Sequence, residues 1–168
     1  MPPQTATSTS FTSSVGLVVA NVGRYIVGIP IHSVTYILTR PHTIHVPRPR
    51  PYVLSLFDYD NRLIPIIDLR ARIEGTASRD EQYYMMVREK DTIFAFPIGY
   101  IENITQIPIQ RIRYPRHEEI AVDKSLVRGY WDYSARRYGY ILNCAAIYRD
   151  IFGETVQATQ GSIAEDHA

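Results

Sequence analysis

Between about residues 15 and 153 the chain alternates short apolar runs with Pro, Gly, Asn and Asp. The runs are rich in β-branched and aromatic residues: GLVVANV, YIVGIPI, TIHVP, YVLSLFDY, RLIPIIDL, YYMMVRE, TIFAFPI, RIRYP, LVRGYWDY and YGYILNC. Runs of this length and composition, bounded by turn formers, have the pattern of strands. Helical signals are confined to HSVTYIL after Pro30, DLRARI after Pro65, YIENIT after Pro97, and AAIYRDIF near the end. The pattern therefore predicts a mainly β chain whose short helices cap or link its sheets. Residues 1–14 are rich in Ser, Thr and Pro, and 154–168 carry no apolar periodicity, so both ends are expected to be tails that do not repay the entropy of ordering.

An internal repeat organises the runs. IVGIPIHSVTYI (26–37) matches IFAFPIGYIENI (93–104), with Pro30 falling 67 positions before Pro97. Further on, SLFDY (55–59) matches GYWDY (129–133) at an offset of 74, and RLIPIIDL then faces RRYGYILN. Two similar β units within one chain follow from this. The length of 168 residues suits one domain, or two small fused barrels.

Charge and cysteine usage narrow the function. The formal charge of +1 supplies no field that would draw in nucleic acid or an anionic membrane. The bases are mostly arginines, with Lys90 and Lys124 the only lysines, a balance suited to bidentate contacts at protein interfaces. A lone cysteine, Cys144, excludes an intramolecular disulfide and a thiolate cluster, and is expected to fill core. No apolar run reaches the roughly 18–20 residues of a membrane span, and no secretory leader pattern is present, so a cytoplasmic protein is expected.

Candidate chemistry is sparse. Asp58 and Asp60, two apart, could present paired carboxylates on one strand face. The same YDNRL segment lies between apolar runs and suits a tight hairpin, where Asp and Asn tolerate positive φ, and the turn is the reading adopted. Asp68, before LRARI, is of the type that caps a helix N-terminus. His42 and His45 have no acidic or cysteine neighbour and read as surface loop, not as metal ligands. VPRPRPY favours polyproline II and reads as a stiff connection, with a groove-docking ligand as the alternative. Tyr130, Trp131, Tyr133, Tyr138 and Tyr140 interleave with Arg128, Arg136 and Arg137. That mixture could stack nucleobases or form a protein hot spot, and strand alternation predicts that part of it is core. No phosphate loop, nucleophile elbow or His-Glu helix appears, so no catalytic residue, cofactor site or metal site is assigned.

The order of PIHSVTYIL, HVPRPRPYV, RLIPIIDLRARI, FAFPIGYIENITQIPIQRI, LVRGYWDYSARRYGYILN and AAIYRDIF resembles the CheW-like domain family of bacterial chemotaxis coupling proteins. The resemblance spans 15–153 and implies a single domain of two SH3-like five-stranded β-barrel subdomains packed around a shared core, with short helices. It implies no enzymatic activity. The implied partners are the regulatory domain of a CheA-like histidine kinase and the cytoplasmic tip of a methyl-accepting type chemoreceptor, with neither nucleic acid binding nor membrane insertion. Recruitment to membrane-associated receptor arrays, and output to pilus-based twitching motility, are further expectations of that kind. By the resemblance, protein-binding positions fall at Val34, Tyr36, Ile37, Leu54 and Leu56, and at the hairpin residues Asp58, Asp60, Asn61 and Arg62.

Two departures stand out against the family pattern. Asp60 occupies a turn position where the family usually has arginine, and Tyr36 one where it usually has glutamate. Ser55 replaces a usual glycine, whereas Asp68 and Gly129 are kept and Asn143 is a tolerated counterpart of Asp68. The charge reversal at Asp60 motivates an alternative, a divergent scaffold that binds other proteins or itself without kinase coupling.

Overall fold

The computed structural model describes residues 12–79, 81–116 and 120–153. The first half contributes β1 (Ser14–Val22), β2 (Tyr25–Pro30), β3 (Val34–Thr39), β4 (Thr43–Ile44), β5 (Val53–Tyr59), β6 (Arg62–Ile67) and α1 (Leu69–Glu74). The second contributes β7 (Tyr83–Glu89), β8 (Thr92–Ile98), β9 (Ile101–Pro108), β10 (Val127–Ser134), β11 (Arg137–Leu142) and α2 (Cys144–Phe152). Single 3₁₀ turns occupy Ile31–Ser33, Ile109–Arg111 and Lys124–Leu126. Thr12 and Ser13 are described and Ser14 opens β1, while residues 1–11 and 154–168 of the expected tails lie outside the described residues.

The expected helices at HSVTYIL and YIENIT are strands. Only Ile31–Ser33 coils, and from Val34 onward the backbone pairs with β7, while Ile101–Pro108 pairs with β1. Both segments carry β-branched and aromatic residues, and a ladder partner on an adjacent strand overrides a weak helical pattern. RIRYP is a 3₁₀ turn followed by a single bridge at Arg113, and TIHVP keeps only two strand residues. Positive φ at Arg48 (55°) and Tyr52 (66°) breaks the expected polyproline run of VPRPRPY.

The repeat is visible as a pseudo-two-fold arrangement, but the barrels do not coincide with the sequence halves. One sheet runs β10-β11-β2-β1-β9 and the other β3-β7-β8-β6-β5-β4. Each sheet therefore takes its central hairpin from one half, and its outer hairpin and opposite edge strand from the other. The registers repeat across the halves: Val18 faces Ile104 as Met85 faces Ile37. The seams are parallel pairings, β11 on β2 and β6 on β8. Each sheet closes on itself through the chain leaving its last strand. Past β9, Arg113 exchanges two backbone hydrogen bonds with Tyr130 of β10 (2.8 and 2.9 Å), and past β3, β4 pairs with β5.

Closure creates three apolar compartments. Leu17, Val19, Ile26, Trp131 and Ile141 fill the β1–β2 barrel, while Phe57, Ile64, Ile66, Met86 and Ala95 fill the β7–β8 barrel. Between them lies the largest core, built from alternate residues of the same strands, among them Val18, Ala20, Val27, Ile29, Met85, Val87, Phe94 and Phe96. Tyr130, Tyr140, Cys144, Ile147 and Ile151 join it. Burial raises the Cys144 thiol to about 12, consistent with a packing role.

The two barrel interiors solve one volume differently. Trp131 stands where the other barrel has Phe57, and Gly28 and Gly139 stand where it has Ala95 and Ile64. A Cβ on Gly139 would lie 2.3 Å from the Trp131 ring, and one on Gly28 2.9 Å from it, so the indole takes the room that two side chains would need. Gly139→Ala is expected to lower stability in urea unfolding by about 1–3 kcal/mol through overpacking. Adding Trp131→Phe should cost less than the sum of the single changes, whereas strict additivity would mean that the two residues do not compete for space.

The helices are capped as Asp68 predicts. Its carboxylate, buried, accepts from Ala71 N (3.0 Å) and from the Ser78 hydroxyl (2.7 Å), and Asn143 accepts from Ala146 N (3.1 Å) at the start of α2. Arg72 on α1 joins the helices across the shared core. It donates twice to Asp150 on α2 (2.6 and 3.1 Å) and once to Asp123 (3.0 Å). Hydrogen bonds from Ser125, then from Arg72, hold the Asp123 carboxyl down at about 2 from its ordinary 3.8. A carboxyl depressed on folding stabilises fully above its unfolded value and stops doing so as pH falls through its folded value. The thermal midpoint is thus expected to fall between pH 3.8 and about 2, and less steeply for Asp123→Asn than for the parent chain. Equal slopes in that window would disconnect Asp123 from acid stability.

Candidate protein-binding surface

The β5–β6 hairpin turns through Asp60 and Asn61, whose φ angles of 52° and 58° are both left-handed. Two consecutive positive φ values define the mirror-image turn that matches strand twist, and Asp and Asn are the side chains that accept it most readily after glycine. Asp58 is not paired with Asp60 as an acid–base couple would be. It lies on the strand opposite Leu63, while Asp60 occupies the turn itself.

Around this turn the barrel wall sorts residues by parity. Phe57, Ile64 and Ile66 point inward, so Leu56 and Asp58 on β5, with Leu63 and Pro65 on β6, belong to the outer face. Ile44 lies beside Leu56 in register, and Leu56 beside Pro65, which extends the face across three strands. Leu54 is 41% exposed, Ile44 43% and Leu63 59%. A contiguous row of exposed aliphatic residues, edged by Asp58 and Arg62, is the composition expected of a protein contact surface.

The β3 residues separate. Val34 packs against the shared core, Ile37 is partly exposed on the outer side, and Tyr36 folds over the barrel mouth. There its ring meets that of Tyr59 at 5.4 Å, tilted by 54°. The hydrogen bond between the two phenols raises the Tyr59 hydroxyl above its ordinary pKa. Thr35, Tyr59, Asp60, Arg62, Ile64, Met86, Arg88 and Ile93 surround the cleft of about 160 Å³ left at this mouth. Of the nine residues expected at a binding surface, Leu54, Leu56, Asp58, Asp60, Asn61 and Arg62 thus share one hairpin. Tyr36 reaches that hairpin through Tyr59; Val34 and Ile37 face elsewhere.

Sequence reasoning passed over Ile44, Leu63 and Pro65. The signal for Leu63 and Pro65 was their alternation with Ile64 and Ile66 in RLIPII; Ile44 became visible only with the β4–β5 register. The aromatic cluster is partly core, as expected, but it does not divide by simple alternation: adjacent Tyr130 and Trp131 are both buried, one against the shared core and one inside the barrel, and Tyr140 is buried while Tyr138 is exposed. Among the described residues no group of three or more His, Cys, Asp and Glu side chains could hold a metal ion, and His42 and His45 are exposed. No helix among them is long and apolar enough to cross a membrane.

Comparison with known proteins gives two matches of different kind. The family model described as the CheW-like domain matches residues 16–152. The crystal structure of the scaffolding protein TtCheW from Thermoanaerobacter tengcongensis superposes with a TM-score of 0.72 at 16% identity, covering 84% of this chain and 97% of that one. No curated protein matches the chain.

The left-handed turn makes a local prediction. Asp60→Asn is expected to leave the thermal midpoint unchanged, while Asp60→Val should cost about 1–2 kcal/mol because a β-branched side chain is strained at positive φ. Equal stability of the two variants would show that the turn relaxes to another geometry.

Proposed function

Because the chain belongs to the CheW-like domain family, whose members are chemotaxis scaffolds and adaptors, we propose that it is a non-enzymatic coupler. It joins the cytoplasmic tip of a methyl-accepting type chemoreceptor to the regulatory domain of a histidine kinase. The observation that carries this reading is the outer face of the β5–β6 hairpin, where exposed Ile44, Leu54 and Leu63 and half-buried Leu56 lie beside a charged turn. Such a face supports protein docking, with the aliphatic row supplying burial and Asp58, Asp60 and Arg62 supplying selectivity. Tyr36, which reaches the hairpin through Tyr59, and Asn61 at the turn complete this face, while Val34 and Ile37 would serve a contact on another side.

The mechanism is geometric. Holding receptor and kinase on one rigid body raises their effective concentration and fixes their orientation, so that receptor state biases kinase activity. The protein works in the cytoplasm at membrane-associated receptor arrays, and its output is pilus-based motility. Asp60 selects the partner: a carboxylate at the turn favours a kinase or receptor surface that presents a basic residue.

Tagged protein recovered from its own cells, with co-purifying proteins identified by mass spectrometry, tests this. A chemotaxis-type kinase and receptor are expected with the parent chain, and their recovery should fall with Leu56→Glu and with Asp60→Arg. Asp60→Asn, which keeps the turn geometry, separates loss of charge from loss of structure. Recovery of neither partner by the parent chain, with only unrelated proteins or further copies of itself, would sink the coupling reading in favour of a divergent scaffold.

A further inference from the structure

The repeat places Asn103 of β9 where Tyr36 stands in β3. The equivalence is structural as well as sequential, because Asn103 lies opposite Val19 in register as Tyr36 lies opposite Met86. Tyr36 and Tyr59 close one barrel mouth, leaving about 160 Å³. At the other mouth Tyr133 occupies the place of Tyr59, but Asn103 supplies no ring to meet it, and a cleft of about 650 Å³ remains. That volume lies in the range of pockets that hold small organic molecules.

The lining is segregated. Val19, Ile107 and the buried Trp131 supply an apolar floor, and Tyr133 an aromatic wall. Asn103, Thr105, Gln110, Arg111, Arg113 and Asp132 form the polar rim. Arg113 is committed to Asp132 by an ion pair and stacks on Tyr130 and Tyr138, with centroid distances of 4.9 and 5.1 Å. Among the described residues Arg111 makes no ion pair or side-chain hydrogen bond, so its guanidinium is available at the rim. An indole floor below an uncommitted guanidinium fits a planar ring bearing a carboxylate or sulfonate, since arginine matches such groups with a bidentate fork.

We propose that the mouth of the β1–β2 barrel is a binding site for a small planar organic anion, seated on Trp131 and Tyr133 and held at its charged end by Arg111. The site lies apart from the β5–β6 hairpin and does not depend on the coupling reading.

Trp131 is the only tryptophan in the chain, so the energy donor lies at the floor of this site. The probe pair is 1-anilinonaphthalene-8-sulfonate and N-phenyl-1-naphthylamine, which share a ring system and differ in charge. Excitation of Trp131 in the full chain should give saturable sensitised emission from the sulfonate probe at one site per chain. Asn103→Tyr, which copies the plug of the other barrel, should abolish it. Arg111→Gln should weaken the sulfonate probe by about tenfold while leaving the neutral probe within about twofold. Absence of saturable sensitised emission, or emission unaffected by Asn103→Tyr, would overturn the site. Equal affinity for both probes, or no response of the sulfonate to Arg111→Gln, would overturn the anionic class of ligand.

Discussion

The fold depends on the exchange of strands between its two halves. Neither half of the chain can close a barrel alone, because each central hairpin needs the outer hairpin and edge strand of the other half. The parallel seams of β11 on β2 and β6 on β8 are where that dependence is enforced. Once they form, β1, β2, β7 and β8 are covered on both faces, by a barrel interior on one side and the shared core on the other. Most of the buried apolar surface therefore arises from contacts distant in sequence. Such topology exacts loop-closure entropy before packing compensates, and favours cooperative formation of both barrels over stepwise assembly of one.

Duplication of the backbone did not require duplication of its contents. At the barrel centres, Trp131 with Gly28 and Gly139 replaces Phe57 with Ala95 and Ile64, the indole occupying the space next to the two glycines. At the mouths the compensation is missing. Tyr36 against Tyr59 closes one barrel, and Asn103 beside Tyr133 leaves the other open. Interior packing is held to near-crystalline density, which forces every volume change to be balanced. A solvent-facing mouth is under no such constraint, and there the two copies are free to acquire different chemistry.

Several parts of this arrangement were legible in the sequence for identifiable physical reasons. The Asp60-Asn61 turn, the Asp68 cap and the buried Cys144 each follow from local chemistry that tertiary structure did not override. The repeat, and with it the pairing of Phe57 with Trp131 and Tyr36 with Asn103, could be read from residue order. The strand exchange could not, because which hairpin completes which barrel is decided by pairing across the chain, and both assignments present the same apolar runs. Two-sided burial also hid the alternation on which strand reading relies: in β1, Leu17, Val18, Val19 and Ala20 are buried in succession. HSVTYIL and YIENIT misled for a related reason. Their spacing of apolar residues resembled a helical stripe, while the exposed residues Ile37 and Ile104 were facing outward from edge strands.

The location of the exposed row follows from one irregularity in the wall. β5 shifts register between Val53 and Ser55, and β10 shifts at the equivalent place, between Val127 and Gly129. An extra residue of this kind reverses the inside–outside alternation, which lets Val53 face the shared core while Phe57 faces the barrel interior, as Val127 and Trp131 do in the other copy. The inserted residue is left on the outside. In β10 it is Arg128, which pairs with Glu89, and Glu89 in turn accepts from Ala145 N at the start of α2, so the charge is absorbed into the scaffold. In β5 it is Leu54, exposed and continuous with the outer face of Leu56 and Leu63. The same backbone device thus braces a helix in one barrel, through arginine, and leaves an aliphatic surface in the other, through leucine.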